Sequence, residues 1–214
     1  MSELLPNAHG NQRSGNSPED VTPSSPPREA ETGSIGSLFG YTLLALCLAL
    51  FIRFFIAAPY VVSGSSMEPN FDNWDYLITD RISYRIENPK RGDIIVFHLP
   101  TQYSRTLIKR IIALPNETVT VSSKGVFVKN AAQPNGLYLK EPYLAPENLG
   151  GPLGMTITLG PDDYFVLGDN RRVSSDSRTW GTLPKEDIVG RVFLRLFPIS
   201  KLGALPAEAR YLEK

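Results

Sequence analysis

Cysteine occurs once in this 214-residue chain, at Cys47, and histidine twice, at His9 and His98. A lone thiol excludes an internal disulfide, and one Cys with two His is too few for a Cys/His zinc site. No sign of charge prevails, because 22 Lys and Arg balance 22 Asp and Glu. The positive field that draws a protein broadly onto nucleic acid is therefore missing. Several motifs are missing too. Gly64-Ser65-Ser66-Met67-Glu68 fails the Gly-x-Ser-x-Gly pattern at its fifth place, and no Ser-x-x-Lys, phosphate-binding loop or His-Glu-x-x-His occurs. A Ser-His-Asp triad would have to use His98, which reads as a plain strand histidine before Leu99-Pro100. Neither a metal nor a cofactor is expected.

What is present falls into unlike segments. Residues 1–37 hold five Pro, seven Ser and four Gly and no Phe, Tyr or Trp. Their charges, Glu3, Arg13, Glu19, Asp20, Arg28, Glu29 and Glu31, are mostly acidic. Such a stretch buries too little apolar surface to offset its ordering entropy, so a disordered polar tail is expected. Residues 38–52 carry no charge, and from Ile35 to Ala58 the only one is Arg53. About 20 apolar residues suffice to cross a bilayer. A transmembrane anchor is expected over 38–58, with a buried core helix or an uncleaved signal-like segment as the alternative. Two Arg precede it, whereas Arg53, Arg81, Arg85, Lys90 and Arg91 follow. That count alone puts the C-terminal part in the cytoplasm, although the rule weakens for large translocated domains.

Residues 59–198 change to strands. Asp93 to His98, Thr118 to Val121, Gly125 to Val128 and Tyr164 to Leu167 are short, β-branched or aromatic, and bounded by turn residues. Tyr76 to Ile78, Leu107 to Ala113 and Val189 to Leu196 read the same way. The fold class expected is mainly β, an antiparallel sheet domain behind one N-terminal helix. Residues 115–161 are expected to form a β extension with a loop over 143–154. Residues 199–214 are a C-terminal tail, with a short exposed helix from Lys201.

Three segments carry chemistry. Ser63-Gly64-Ser65-Ser66-Met67-Glu68-Pro69 presents small residues, with Pro69 fixing a turn just past Ser66. A serine there is either a nucleophile or only part of a turn. In Arg105 to Pro115, period two puts Lys109 on one strand face with Leu107, Ile111 and Ala113. Desolvation lowers the pKa of an amine on an apolar face and so frees it to accept a proton. An edge-strand lysine reaching water is the bland alternative. The third segment, Gly168 to Gly181, is long for a solvent loop and dense in hydrogen-bonding side chains, although Asp176 and Arg178 could simply pair to fix it.

In this order and spacing the segments resemble type I signal peptidase (leader peptidase), a membrane-anchored Ser-Lys protease family, over roughly Leu38 to Phe197. Ser66-Met67-Glu68-Pro69, Arg91 to Phe97, Lys109 to Pro115, and Gly168-Asp169-Asn170-Arg171 with Ser174, Asp176-Ser177-Arg178 and Trp180-Gly181 carry the match. The resemblance implies Ser66 as nucleophile, Lys109 as general base and Ser174 as a hydrogen-bonding orienter of the lysine. It implies that Asp169 pairs with Arg110 and Asp176 with Arg178, holding the last segment against the lysine strand. Tyr60, Val62, Phe71, Leu107 and Ile108 would build shallow pockets for small side chains. The oxyanion would rest on the Ser66 backbone N–H and a second donor, Ser65 or Ser63. Gly64 stands where many members have a serine, and Asn70 where Thr or Ser is usual, a change expected to matter little.

The activity so implied is removal of N-terminal signal peptides from exported preproteins after small residues, at Ala-x-Ala-like sites. Partners would be those preproteins, the lipid bilayer and the protein export machinery, with no nucleic acid. The location would be the bacterial plasma membrane, single-pass with the catalytic domain on the outer face, or else an internal membrane. A self-cleaving repressor-type Ser-Lys protease fits poorly, since it is soluble and bears a DNA-binding region. The alternative from another class is a non-catalytic membrane-tethered β domain that binds a protein partner.

Overall fold

The computed structural model describes residues 35–148 and 154–205. The tail expected over 1–37 lies outside the described residues apart from 35–37, and so does the C-terminal segment beyond Leu205. The chain divides into Met1–Gly40 and Tyr41–Lys214. Helix α1, Ile35–Phe51, begins three residues before the expected anchor and passes into a π-helical turn, Ile52–Ile56. Its 17 residues make about 26 Å of α-helix, against about 30 Å of bilayer hydrocarbon. Among the described residues no helix is long and apolar enough to cross a membrane. Ala57 and Ala58, counted with the apolar run, instead belong to strand β1 (Ala57–Val61) and pair with Asp80 and Thr79. A neighbouring strand satisfies their main chain where a helix would have had to continue.

The rest is antiparallel β structure. The main sheet orders its strands as β1, β2 (Tyr76–Asp80), β11 (Ile188–Phe197), β3 (Ile94–Leu99), β4 (Gln102–Ala113), β9 (Asp163–Leu167) and β10 (Leu183–Pro184). Strand β12 (Gly203–Ala204) pairs with β11. The second sheet orders β7 (Leu137–Tyr138), β6 (Gly125–Lys129), β5 (Thr118–Ser122) and β8 (Met155–Thr158), and fills the connection from β4 to β9. All seven segments read as strands are strands. The helix expected from Lys201 is not formed over the described residues. Lys201 ends a short 3-10 turn, and Gly203 is held extended opposite Arg195.

Alternation along the strands makes the core. In β3, Ile94 and Val96 pack with Val62, Met67, Phe71 and Leu77 around the turn that carries Ser66. Ile95 and Phe97 face the other way, against Ile111, Tyr164, Val166 and Leu183. Strands β5 and β6 bury Val119, Val121, Val126 and Val128 against Ile112, Phe165 and Leu167, which fastens the second sheet onto the first. The opposite face of β5 is polar, and Thr118 and Thr120 bond to Thr158 and Thr156 at 2.9 Å each. Each buried Val, Leu or Phe in these layers contributes about 1.5–3 kcal/mol.

Candidate active site

Ser66 sits in the tight turn between β1 and β2. Glu68 N–H donates to the Ser65 carbonyl at 3.2 Å, and Asn70 and Phe71 N–H both donate to the Met67 carbonyl at 3.0 Å. Met67 is driven wholly into the core, so its neighbour Ser66 is turned toward the surface. Gly64 begins the turn at φ +93°, with its N–H on Asn73 Oδ1 at 2.9 Å. Glycine holds that left-handed conformation without steric penalty.

Lys109 lies in β4, opposite Ile95 of β3, and is only 2% exposed. Its Nζ donates to Ser66 Oγ at 2.9 Å and to the Ile108 carbonyl at 2.8 Å. Burial drives the amine from its ordinary 10.5 down to about 8. The Asp176 and Asp169 carboxylates oppose that fall, and the Arg105 charge adds to it. The displacement corresponds to about 3 kcal/mol against the charged form. An ammonium near neutrality is thus poised to lose its proton beside a hydroxyl.

The loop after β9 closes the site. Asp169, fully buried, takes Arg110 in a two-point grip at 2.8 and 2.6 Å. Asp176 grips Arg178 at 2.7 and 2.8 Å and accepts the Gly168 N–H at 3.0 Å. The first pair joins the loop to the lysine strand. The second is local, and it steadies the loop through Gly168 instead. Asn170 N–H donates to the Ser66 carbonyl at 3.0 Å, a tie that side-chain reasoning could not foresee. Ser174 departs from expectation. Its Oγ is buried without a hydrogen-bond partner among the described residues, and it lies close over the Gly168 Cα. The lysine's own Ile108 carbonyl takes the bond that Ser174 was expected to make.

A cavity of about 210 Å3 opens beside Ser66 and Lys109. Tyr60, Val62, Leu107 and Ile108 line it, together with Val61, Leu77, Val96 and Thr106. Phe71 does not. Its N–H on Met67 turns the ring into the core, 1% exposed, beneath the Arg195 guanidinium at 4.7 Å. Ser63 also lines the cavity whereas Ser65 does not, and Ser66 N–H bonds to no described residue. Asn70, expected to matter little, bridges two segments: its Nδ2 donates to Asp169 Oδ2 and to the Tyr143 carbonyl at 2.8 Å each. A larger cavity, about 280 Å3 around Arg81, Tyr84, His98 and Asp187, contains neither Ser66 nor Lys109. His98 lies in β3 and stacks on Tyr103 at 4.4 Å. Among the described residues no group of three or more His, Cys, Asp or Glu is placed to hold a metal.

The turn serine, the buried amine and the cavity all lie within a stretch that matches a known family. The family model described as signal peptidase, peptidase S26, matches residues 35–197. The chain belongs to that family. It is 42% identical over 174 residues to the probable signal peptidase I-2 of Synechocystis, covering 77% of this chain and 74% of that one. It is 38% identical over 170 residues to signal peptidase I P of Bacillus subtilis subsp. natto, covering 75% and 87%. Thylakoidal processing peptidase 1 of Arabidopsis thaliana is 32% identical over 169 residues, 74% of this chain and 47% of that protein. A solved signal peptidase I of Enterococcus faecalis is 30% identical at a TM-score of 0.41, covering 50% of this chain and 97% of the other. The chain is accordingly a serine endopeptidase of the S26 family rather than a partner-binding β domain.

Proposed function

We propose that this peptidase removes signal peptides from exported preproteins by a Ser66–Lys109 pair. The observation that carries the reading is the 2.9 Å contact between an apolar-buried amine and the serine hydroxyl. Ser66 Oγ attacks the carbonyl after a small residue while neutral Lys109 takes its proton. The tetrahedral oxyanion is received by Ser66 N–H, with Ser63, which lines the cavity where Ser65 does not, as the second donor. Lysine then protonates the departing amine as the C–N bond breaks, leaving an ester on Ser66. Water, giving a proton to the same lysine, attacks that ester. The acid leaves, and the proton returns to Ser66 Oγ.

The cavity beside the pair supports small side chains, since Tyr60, Leu107 and Ile108 leave room of about 210 Å3 with mostly apolar walls. Helix α1 is proposed to hold the enzyme at a membrane. The open exposure of Leu38, Phe39, Leu44 and Leu46 supports this. Ser66 follows Arg53 by 13 residues, so the link keeps it within about 43 Å of Arg53 even when fully extended. The proposed placement is a plasma membrane with the β domain on its outer face.

A purified preprotein with an Ala-x-Ala site is expected to be cut after the last Ala. Replacing that Ala by Phe is expected to lower kcat/KM by at least about tenfold, because a ring would take most of the 210 Å3 that has to seat both alanine side chains of the site. Sequencing the new N-terminus checks the first outcome, and steady-state kinetics the second. Equal cutting of both substrates would refute the pocket assignment.

A further inference from the structure

Beyond β7 the chain comes back from the second sheet to the main one through residues 139–148, and two of its side chains end among the buried charges of the site. Glu141 takes the buried Arg171 guanidinium with both carboxylate oxygens, Nη1 on Oε2 at 3.1 Å and Nη2 on Oε1. Tyr143 O–H donates to Glu141 Oε1 at 2.6 Å. The Tyr143 ring lies under the Arg110 guanidinium at 3.9 Å. Its main-chain carbonyl accepts Asn70 Nδ2 at 2.8 Å. These two residues therefore meet all three segments of the site: the Ser66 turn at Asn70, the lysine strand at Arg110, and the last loop at Arg171. None of these contacts involves Ser66 Oγ or Lys109 Nζ.

Stability alone is a poor explanation for such a cluster. Burying Arg110, Asp169, Arg171 and Glu141 desolvates four charges, and apolar side chains of similar size often do as well or better. Fixing geometry is the service that paired and fully bonded charges perform well. The geometry in question is that of neighbours: Arg110 follows Lys109, Asn70 shares the Ser66 turn, and Asp169 precedes the Asn170 N–H that holds the Ser66 carbonyl.

We infer that Tyr143 and Glu141 are positioning residues, which strap the second sheet to the site and keep the Ser66 turn, the lysine strand and the last loop in one register. This rests on the reading of Ser66 and Lys109 as the reacting pair. The strap touches no reacting atom. It works through Asn70, Arg110 and Arg171.

The test compares Tyr143→Leu, Tyr143→Phe and Asn70→Ala in the full-length protein, with Ser66→Ala beside them, on a synthetic peptide bearing an Ala-x-Ala site. Tyr143→Leu is expected to lose about 30-fold in kcat with KM within about twofold, as a small misplacement of reacting groups does. The acid limb of its kcat/KM profile is expected to move to higher pH, because a loosened site admits water to the Lys109 amine. That amine is faced by Asp169 and Asp176 from the last loop and by Arg105 from its own strand, and none of these is altered. Tyr143→Phe keeps the ring under Arg110 and is expected to stay within about threefold of wild type. Asn70→Ala removes a half-buried side chain and is expected to lose about tenfold in kcat, again at unchanged KM. Wild-type kcat and an unmoved limb in folded Tyr143→Leu and Asn70→Ala would overturn the inference. A Phe variant as impaired as the Leu variant would overturn the part assigned to the ring under Arg110 and leave the hydroxyl on Glu141 as the strap. If Tyr143→Leu does not fold, Asn70→Ala decides by the same criteria. Residual cleavage by Ser66→Ala would instead refute the underlying Ser-Lys reading, whatever the strap variants do.

Discussion

Lys109→Met is expected to fold normally and to cleave preproteins at least about 10³-fold more slowly, with substrate affinity kept. Met matches the length of the lysine stem and suits the apolar wall, so packing is preserved. What disappears is the one basic group within reach of Ser66 Oγ among the described residues. Stability is expected to move the other way. The amine's pKa is lowered on folding, to about 8 from 10.5. At pH 7 the folded wild type therefore carries a desolvation penalty that the Met variant lacks. Between pH 8 and 10.5 the unfolded chain binds more protons than the folded one, and wild-type stability rises with pH. The Met variant is accordingly expected to melt at a higher temperature at pH 7, with the gap narrowing across that window. The wild-type kcat/KM should climb about tenfold per pH unit below 8 and level off above it, following the neutral amine. Activity that is flat from pH 6 to 9, or a Met variant that still cleaves, would remove lysine from the mechanism.

Gly168→Ala is expected to cost at least about 10²-fold in kcat, though the added methyl group lies outside the cavity. A Cβ there would stand 2.4 Å from the Ser66 carbonyl oxygen and 2.3 and 2.5 Å from Ser174 Oγ and Cβ. Carbon atoms do not approach so closely, so the backbone of Ser66 or the whole loop must retreat. The loop is not free to do so. Gly168 N–H is fixed on Asp176, and Asn170 N–H holds the Ser66 carbonyl from the same segment. Overpacking of this kind lowers stability by about 1–3 kcal/mol as well. Gly64→Ala is the informative control. Nothing stands within 4 Å of its added Cβ, and only the φ of +93° is strained. Its loss of activity should be clearly smaller. Peptide kinetics alongside thermal melts separate the two effects, and equal kcat for the two variants would refute the argument from close approach.

How far residue order alone carries depends on how local the deciding forces are. Strand assignments such as Gly125 to Val128 and Tyr164 to Leu167 follow from alternation and turn residues, which act within a few positions. Lys109 was legible for a similar reason: period two puts it on an apolar face, and the structure buries that face. The direction of Phe71 was not, because it depends on whether the turn folds back on Met67. The end of α1 was not either. The apolar run continues through Ala58, and only pairing with Asp80 and Thr79, more than twenty positions away, draws the chain into a strand. Asn70, Glu141 and Tyr143 are ordinary polar residues in their own neighbourhoods. Their partners lie 99, 30 and 73 positions off, so no spacing rule reaches them.

Strand β4 runs between β3 and β9, bonded along both edges at Arg110. Amides in such an interior strand surrender their protons to deuterium only when the whole domain opens. The Ser66 turn is held by a handful of main-chain bonds, so its amides are expected to exchange through smaller, more frequent openings. Amine and hydroxyl thus keep different clocks, one moored to the last part of the molecule to open and the other riding on a part that breathes.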